Sequence, residues 1–231
     1  MYKISLNFYL IFIKSIRFVL NYNIKKKKNY DITSFKFHVI SLLSVYNVQE
    51  MIYLNVPWWT YNSITFLKTF LNNKKKLDAF EYGPGASSFW LKQFCKSITF
   101  VEHDEDFYKF FKSLTKNEKK ISGRLILPSQ NYNGKYLSKK EGFNGYCFES
   151  YVKSIADVGK KFDIIVIDGR CRVLAFEYSK KYLKKGGIII FDNSNRQRYR
   201  SIFEKEKNYK RFSGKVPTLP IRDETTIFLK K

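Results

Sequence analysis

The amino-acid sequence predicts an α/β protein: a doubly wound, mostly parallel sheet of seven strands that ends in an antiparallel hairpin. Three observations support this prediction. Short apolar runs alternate with helical patterns from residue 51 onward. A turn with two glycines, Gly83 and Gly85, follows the first apolar run, and the last segment holds two strand-like stretches with no helix between them. Apolar strands separated by helices indicate a parallel sheet that is covered on both faces.

Each predicted helix and strand is indicated by its own residues. A helix is predicted from Pro57, because proline suits a first helical turn and Ile64, Leu67 and Leu71 follow at helical spacing. Apolar runs then predict five strands, and the segments after them predict helices, the second of which has an acidic first turn. The predicted strands are 77–83, 97–103, 123–128, 162–169 and 186–194, the helices are 87–95, 104–114, 148–158 and 172–183, and the hairpin is 210–231.

Length and cysteine content limit the kind of protein. A chain of 231 residues with 44% hydrophobic residues can bury one core. We therefore predict one domain at residues 51–231 and an amphipathic basic extension at residues 1–50. Cys95, Cys147 and Cys171 show no CxxC spacing, so the sequence indicates neither a disulfide framework nor a zinc site. A reducing, cytoplasmic location is the simplest expectation.

The chain is strongly basic. It has 43 Lys and Arg against 20 Asp and Glu, a net charge of +23. Such a charge favours anionic partners such as nucleic acid, phospholipid headgroups or a phosphorylated glycan. Lys, Asn, Ile, Phe and Tyr are all abundant and all use A- or T-rich codons. A solvated, lysine-rich exterior therefore ranks above a dedicated RNA site.

The N-terminal 24 residues predict an amphipathic helix. Lys14 and Arg17 interrupt the apolar run well short of the roughly 18 residues that a membrane-spanning helix needs, and no small-residue cleavage site follows. At helical spacing the polar side chains form one narrow stripe that consists of Lys3, Asn7, Lys14, Arg17 and Asn21. With Lys25 to Lys28, residues 1–28 predict peripheral contact with an anionic membrane, at its inner face. Docking on the protein's own core or on a second subunit is the alternative.

The glycine turn indicates a nucleotide-like ligand. In a doubly wound sheet, the first strand-to-helix turn must let the backbone approach a ligand closely, and Gly83 and Gly85 allow this. Glu102 follows 19 residues after Gly83 at a strand end, where a carboxylate accepts hydrogen bonds from ribose hydroxyls. Ser88 stands where a nicotinamide-cofactor turn would have Gly or Ala. A nucleoside without phosphates fits better, and an ordinary turn is the plain alternative.

Several motifs together resemble those of the class I S-adenosylmethionine-dependent methyltransferases, which have a Rossmann-like fold. The resemblance covers roughly residues 57–231. Its motifs are "FEYGPGAS", "FVEHD", "FDIIVIDG", "LKKGGIIIFDN" and the terminal hairpin. More narrowly, "PWWTYNSI", "VEHDEDFY", "VIDGR" and "FDNSNRQRY" resemble a little-characterised bacterial group associated with surface-polysaccharide loci.

The resemblance implies S-adenosylmethionine as cofactor and a role for each matching residue. Residues of the glycine turn would contact the methionine portion, a strand-end carboxylate would bind the ribose, and its neighbours would lie beside the adenine. These residues are Glu81, Gly83 and Gly85 for methionine, Glu102 for ribose, and His103 and Asp104 for adenine. Asp168 would face the transferred methyl group as the catalytic residue. Asp104 is alternatively a helix cap, His103 a loop residue and Asp168 a turn residue.

A metal site is a further implication. Asp168 ends one strand, and Asp192 and Asn193 end the next one 24 residues later. This set looks like the magnesium site of catechol-type O-methyltransferases, and oxygen ligands suit Mg²⁺. The metal would lower the pKa of a substrate hydroxyl. Without a metal, Asp168 would act directly as general base, and Asp192 and Asn193 would cap the following helix.

Motifs that the sequence lacks bear on which atom accepts the methyl group. It has no Asp-Pro-Pro-Tyr or Asn-Pro-Pro-Tyr run and no Pro-Cys pair. The resemblance therefore points to oxygen as the acceptor atom, in a small molecule or a glycan. An RNA methyltransferase is the alternative that the charge favours, although no RNA-binding module is visible. A third possibility is a non-catalytic, membrane-associated binding domain of the same fold.

Overall fold

The computed structural model describes residues 2–19, 31–44, 47–74, 76–130, 134–138 and 142–231. The predicted membrane segment at Lys25 to Lys28 lies outside these residues. The described chain forms one sheet with helices on both faces. The helices are α1 Tyr2–Val19, α2 Phe35–Leu42, α3 Val48–Leu54, α4 Tyr61–Leu71, α5 Ala86–Leu91, α6 Glu105–Leu114, α7 Glu149–Lys153, α8 Arg172–Ser179 and α9 Arg200–Lys205.

The sheet has seven strands and confirms the predicted fold class. The strands are β1 Leu77–Tyr82, β2 Cys95–Glu102, β3 Ile121–Leu125, β4 Phe162–Ile167, β5 Leu183–Asp192, β6 Tyr209–Val216 and β7 Leu219–Leu229. Their order is β3-β2-β1-β4-β5-β7-β6. The first five pair in parallel, whereas β7 pairs antiparallel with both β5 and β6. The terminal hairpin therefore closes one edge of the sheet, as the sequence predicts.

Side chains of the central strands alternate between two apolar layers. Phe80 and Tyr82 of β1 are fully buried on one face, and Ala79 is buried on the other. Ile165 and Ile164 of β4 divide in the same way. Because a strand has a period of two residues, both faces of a strand can be apolar only when helices cover both. Each fully buried large side chain contributes about 1.5–3 kcal/mol.

Helix α4 begins later than predicted, at Tyr61 rather than at Pro57. The intervening segment lies against the sheet instead. Thr60 donates its backbone N–H to Thr225 Oγ1 at 3.2 Å and its hydroxyl to the Phe212 carbonyl at 3.0 Å. Trp59 is buried and packs edge-on against Trp90, with ring centroids 5.7 Å apart. Tertiary contacts therefore hold these residues extended before the helix begins.

The N-terminal helix α1 contacts the body of the protein. Arg17 forms an ion pair with Glu50, Nη2 to Oε1 at 2.5 Å, and donates from Nη1 to the Leu43 carbonyl at 3.1 Å. Ile13 is buried. Large apolar side chains on the helix face outward, namely Phe8, Ile11, Phe12, Phe18 and Val19. Membrane contact through residues 1–28 stays a prediction, and no helix in the described ranges has the length and apolarity to span a bilayer.

Helix α3 runs across the predicted domain boundary at residues 50 and 51. Met51 is fully buried beside Val56 and Ala86, the first residue of α5. The end of the extension is therefore packed on the glycine-turn region. The division into two units stays a prediction.

Candidate active site

A cavity of about 290 Å³ opens beyond the carboxyl ends of β1, β2 and β4. The strand order reverses between β1 and β4, which is where open α/β sheets bind their ligands. The residues that line the cavity include Gly83, Gly85, Glu102, His103 and Asp168. The fold therefore brings five of the predicted site residues to one place.

The two glycines of the turn after β1 line the cavity and allow a close backbone approach. Gly83 has φ +80°, a conformation that favours glycine, and a Cβ there would lie 2.9 Å from the Gly169 Cα. The turn after β1 therefore packs directly on the turn after β4. A Cβ at Gly85 would meet nothing closer than Ser87 Oγ at 3.8 Å, so the residue leaves open space beside the cavity.

Glu81 supports this turn from below. It is fully buried, and its two carboxyl oxygens accept hydrogen bonds from the hydroxyls of Ser87 and Ser88 at the start of α5. Burial raises the pKa of Glu81 to about 8, and the charge of Asp168 adds to the rise, while the two serine hydroxyls oppose it. The carboxyl connects β1 to α5. It does not line the cavity, and its contact with a methionine portion stays a prediction.

Glu102 and His103 form one polar unit at the end of β2. Glu102 Oε1 accepts the backbone N–H groups of His103 at 2.7 Å and Asp104 at 2.9 Å, and His103 Nδ1 lies 2.5 Å from the same oxygen. Arg170 Nε donates to His103 Nε2 at 2.9 Å. The imidazole nitrogen that accepts from Arg170 carries no proton, so the neutral ring has its proton on Nδ1. Within the described residues Glu102 Oε2 accepts no hydrogen bond, so it can accept from a ligand.

Asp104 caps helix α6, the role that the sequence suggests as the alternative to contact with an adenine. Its Oδ1 accepts the backbone N–H of Phe107 at 2.9 Å, the usual N-cap bond. The side chain does not line the cavity. Its predicted place beside an adenine stays a prediction.

Arg172, which the sequence analysis missed, lies between the ends of β4 and β5. Its guanidinium donates from Nη2 to Asp168 Oδ1 at 2.6 Å and from Nη1 to Asn193 Oδ1 at 3.0 Å. Nη1 also donates to the Asp192 carbonyl at 2.6 Å, Nη2 to the Asp168 carbonyl at 2.7 Å, and Nε to the Gly169 carbonyl at 3.1 Å. All five N–H donors of the side chain are thereby used.

The predicted magnesium site does not fit this arrangement. Asp168, Asp192 and Asn193 do come together, but the cation among them is the Arg172 guanidinium. Asp192 is buried, and its oxygens accept from Thr225 Oγ1 at 2.8 Å and from Asn193 Nδ2 at 2.9 Å. In the described ranges no group of three or more His, Cys, Asp or Glu side chains is arranged to hold a metal ion. The Mg²⁺ expectation is therefore not supported, and we derive no step through a metal.

The two carboxyls near Arg172 have raised pKa values. Burial, then the charge of Asp168, raises the pKa of Asp192 well above its usual range, and Arg172 works in the opposite direction. Burial also raises the pKa of Asp168, while Arg172 and Arg196 lower it. Asp168 Oδ2 accepts no hydrogen bond from the described residues, and Asp168 lines the cavity. It is a carboxyl that can take a proton from a ligand.

Two tryptophans form another wall of the cavity. Trp58 and Trp59 line it, and the Trp58 indole donates to Thr218 Oγ1 at 2.6 Å. Tyr61 instead contacts the N-terminal helices, where its hydroxyl lies 3.1 Å from Ser41 Oγ. Of the aromatic residues that precede the sheet, the two tryptophans are therefore placed to report on ligand binding.

Comparison with known proteins supports the fold. No protein-family model matches the chain, and no curated protein matches its sequence. The structure is similar to an O-methyltransferase from Bacillus cereus in complex with SAH, with TM-score 0.56, 14% identity and coverage of 85% of this chain and 99% of the other. It is also similar to a Staphylococcus aureus protein provisionally named a caffeoyl-CoA O-methyltransferase, with TM-score 0.51, 18% identity and coverage of 96% and 99%.

The N-methyltransferase NodS from Bradyrhizobium japonicum also matches, with 15% identity over 73% of this chain and 94% of that one, but its TM-score of 0.46 carries no weight here. The two preceding likenesses show the fold. This chain has the Rossmann-like fold of S-adenosylmethionine-dependent methyltransferases.

Proposed function

We propose that the protein is an S-adenosylmethionine-dependent methyltransferase that methylates an oxygen atom of a small molecule or a glycan. One observation carries the proposal: the cavity at the reversal of strand order is lined by the two glycines of the turn after β1 and has, within the described residues, an open carboxylate oxygen on Glu102 and another on Asp168. The association with surface-polysaccharide loci stays a prediction.

The residues present suit this cofactor. Glu102 Oε2 has no protein donor in the described residues, so it is free to accept the ribose hydroxyls, while two backbone N–H groups hold the other oxygen. His103 is held by Arg170 and lines the same cavity, beside the place proposed for the adenine. Gly83 and Gly85 leave room for the remaining part of the cofactor.

Asp168 is proposed as the general base. When bound, the cofactor supplies an electrophilic methyl group on a sulfonium. Asp168 Oδ2 would take the proton of the acceptor hydroxyl as that oxygen bonds to the methyl carbon and the sulfur–methyl bond breaks, with S-adenosylhomocysteine as the other product. Arg172 keeps the other carboxyl oxygen in place at 2.6 Å and balances the negative charge. Burial raises the pKa of Asp168, which makes its carboxylate a stronger base than an exposed one.

Two measurements test the proposal. Calorimetric titration with S-adenosylhomocysteine should show one site per chain, and saturation should change tryptophan fluorescence because Trp58 and Trp59 line the cavity. Transfer of tritiated methyl to a panel of hydroxylated acceptors should then give turnover. Binding without turnover on any acceptor would favour the non-catalytic binding domain, and absence of binding would reject the proposed cofactor.

A further inference from the structure

A second, larger cavity of about 480 Å³ adjoins the first. The two cavities share Gly169, Arg170 and Arg172 in their walls. The rest of the second cavity comes from the start of α8, from the segment around Leu137 and from the segment around Arg196 and Arg198. If the first cavity holds the cofactor, as proposed above, the second is the place from which an acceptor reaches Asp168.

The second cavity has an unusual set of charges. Four arginines line it, namely Arg170, Arg172, Arg196 and Arg198, and among the described residues no lysine, Asp or Glu lines it. The whole chain contains 34 lysines and only nine arginines. A lysine-rich exterior would put lysines here too. The concentration of the scarce cation in one cavity therefore needs an explanation other than overall composition.

Three of these arginines have N–H donors that form no hydrogen bond within the described residues. In the described residues, ion pairs of arginine with carboxylates involve Arg17, Arg124, Arg172, Arg200 and Arg211. Arg170 instead uses Nε on His103 and lies over the Phe143 ring at 5.4 Å, and Arg196 uses Nη2 on Asn193 at 2.9 Å. Arg198 lies over the Tyr199 ring at 5.0 Å.

Two residues beside these arginines have left-handed backbone conformations. Cys171 has φ +47°, which a residue of its kind seldom adopts, and Asn193 has φ +51°, which asparagine tolerates better than most residues. Cys171 separates Arg170 from Arg172, and Asn193 follows β5 just before the segment that carries Arg196. Unfavourable backbone conformations of this kind are tolerated where the surrounding structure requires them, often at binding sites.

We propose that this cavity binds an anionic oxygen group of the acceptor, a phosphate or a carboxylate, through Arg170, Arg196 and Arg198. The planar guanidinium fork matches the oxygen geometry of both groups and can bind them in a bidentate manner. Arg172 is not part of this set, because its donors are already used on the protein. The acceptor is therefore a small hydroxylated anion, since a cavity of this volume suits a small ligand better than a polymer.

The test compares three probes that share one carbon skeleton: glycerol, glycerol 3-phosphate and glycerate. Each is titrated calorimetrically into the full chain, with and without saturating S-adenosylhomocysteine, at constant ionic strength. At least one anionic probe should bind at least tenfold more tightly than glycerol. Its identity then separates phosphate from carboxylate as the group recognised.

Matched double variants test the site. Arg196→Gln with Arg198→Gln should weaken binding of the preferred anion tenfold or more. Arg200→Gln with Arg222→Gln removes the same charge from positions that do not line the cavity and should leave that affinity within about twofold. Arg196→Lys with Arg198→Lys keeps the charge without the fork and should recover only part of the loss. Circular dichroism of each variant checks that the fold is retained.

Each outcome of these experiments bears on a different proposal. Equal losses in the two glutamine pairs would show a response to total charge and overturn the proposal, as would a preference for glycerol. Tighter binding of a short RNA oligomer that both pairs weaken equally would favour a nucleic-acid surface instead. Anion binding that survives without any binding of S-adenosylhomocysteine would reject the methyltransferase proposal and retain the anion site.

Discussion

The two halves of the candidate active site are held together by different kinds of group. Beside β1 and β2, the functional groups are carboxyls, Glu81 and Glu102, held by hydroxyl and backbone N–H donors. Beside β4 and β5, the central group is the Arg172 cation, held by three backbone carbonyls and two side-chain oxygens. Within the described residues, every N–H donor of Arg172 is used on the protein, and each half leaves one acceptor oxygen beside the cavity, Glu102 Oε2 in the first and Asp168 Oδ2 in the second. The two halves therefore differ in what holds them together and not in the kind of group that they leave open.

The strongest test of this comparison is Asp168→Asn, which removes the proposed base at the boundary between the halves. Methyl transfer to an acceptor found by screening should fall by about 10²–10⁴-fold, because an amide cannot take the hydroxyl proton. Affinity for S-adenosylhomocysteine, measured by calorimetry, should change little and serves as the control. Turnover at the original rate would remove Asp168 from the mechanism.

The next effect concerns Arg172. Arg172→Met keeps much of the side-chain volume but leaves Asp168 and Asp192 without their cation. Breaking a fully buried ion pair on one side costs about 3–5 kcal/mol. Because the Asp168 side chain is 28% exposed, we expect a loss near the lower end of that range in the free energy of unfolding, measured with urea. Arg198→Gln, an exposed position, should change stability by less than about 0.5 kcal/mol. A loss below about 1 kcal/mol for Arg172→Met would show that the two strand ends do not depend on the cation.

A smaller effect is expected on the acidic side. Glu102→Ala should weaken binding of S-adenosylmethionine by about 1.5–3 kcal/mol, because charge-assisted hydrogen bonds to the ribose are lost. Calorimetry measures the change. Asp104→Ser is the matched control, because serine retains the N-cap bond to α6 and the side chain does not line the cavity. Unchanged affinity in Glu102→Ala would contradict the ribose assignment.

The smallest effect is a pH dependence that comes from Glu81. Burial raises the pKa of Glu81 to about 8 in the folded protein. At a pH between the ordinary glutamate pKa and about 8, the folded protein therefore keeps a proton on Glu81 that the unfolded chain has lost. Stability from this group is therefore complete below the unfolded pKa and falls as the pH rises to about 8, with a slope of at most roughly 1.4 kcal/mol per pH unit.

Glu81→Gln isolates this contribution, since the amide retains polar contacts with Ser87 and Ser88 but does not titrate. Urea unfolding of both proteins between pH 5 and pH 8 should show the wild type losing stability relative to the variant as pH rises. Parallel curves over this range would mean that the carboxyl is ionised in the folded state.

The sequence by itself determined the architecture and part of the site. The alternation of apolar runs and helical patterns identified the strands, because a strand that is buried on both faces is apolar along most of its length. The glycine turn at Gly83 and the acidic strand end at Glu102 were also visible, because their spacing follows from the length of one strand, helix and strand unit. Those residues meet at the cavity because parallel strands place their carboxyl ends at one edge.

Only the tertiary structure decided which groups occupy the space between those strand ends. Asp168, Asp192 and Asn193 meet as their spacing suggested, but the cation among them is Arg172, whose side chain turns back from the start of α8. Likewise Glu81 meets two serines, and Thr60 bonds to strands of the hairpin more than 150 residues away, which delays the start of α4. Periodicity reports the face on which a residue lies. The partner it meets there depends on the packing of segments distant in the chain, and local sequence patterns do not carry that information.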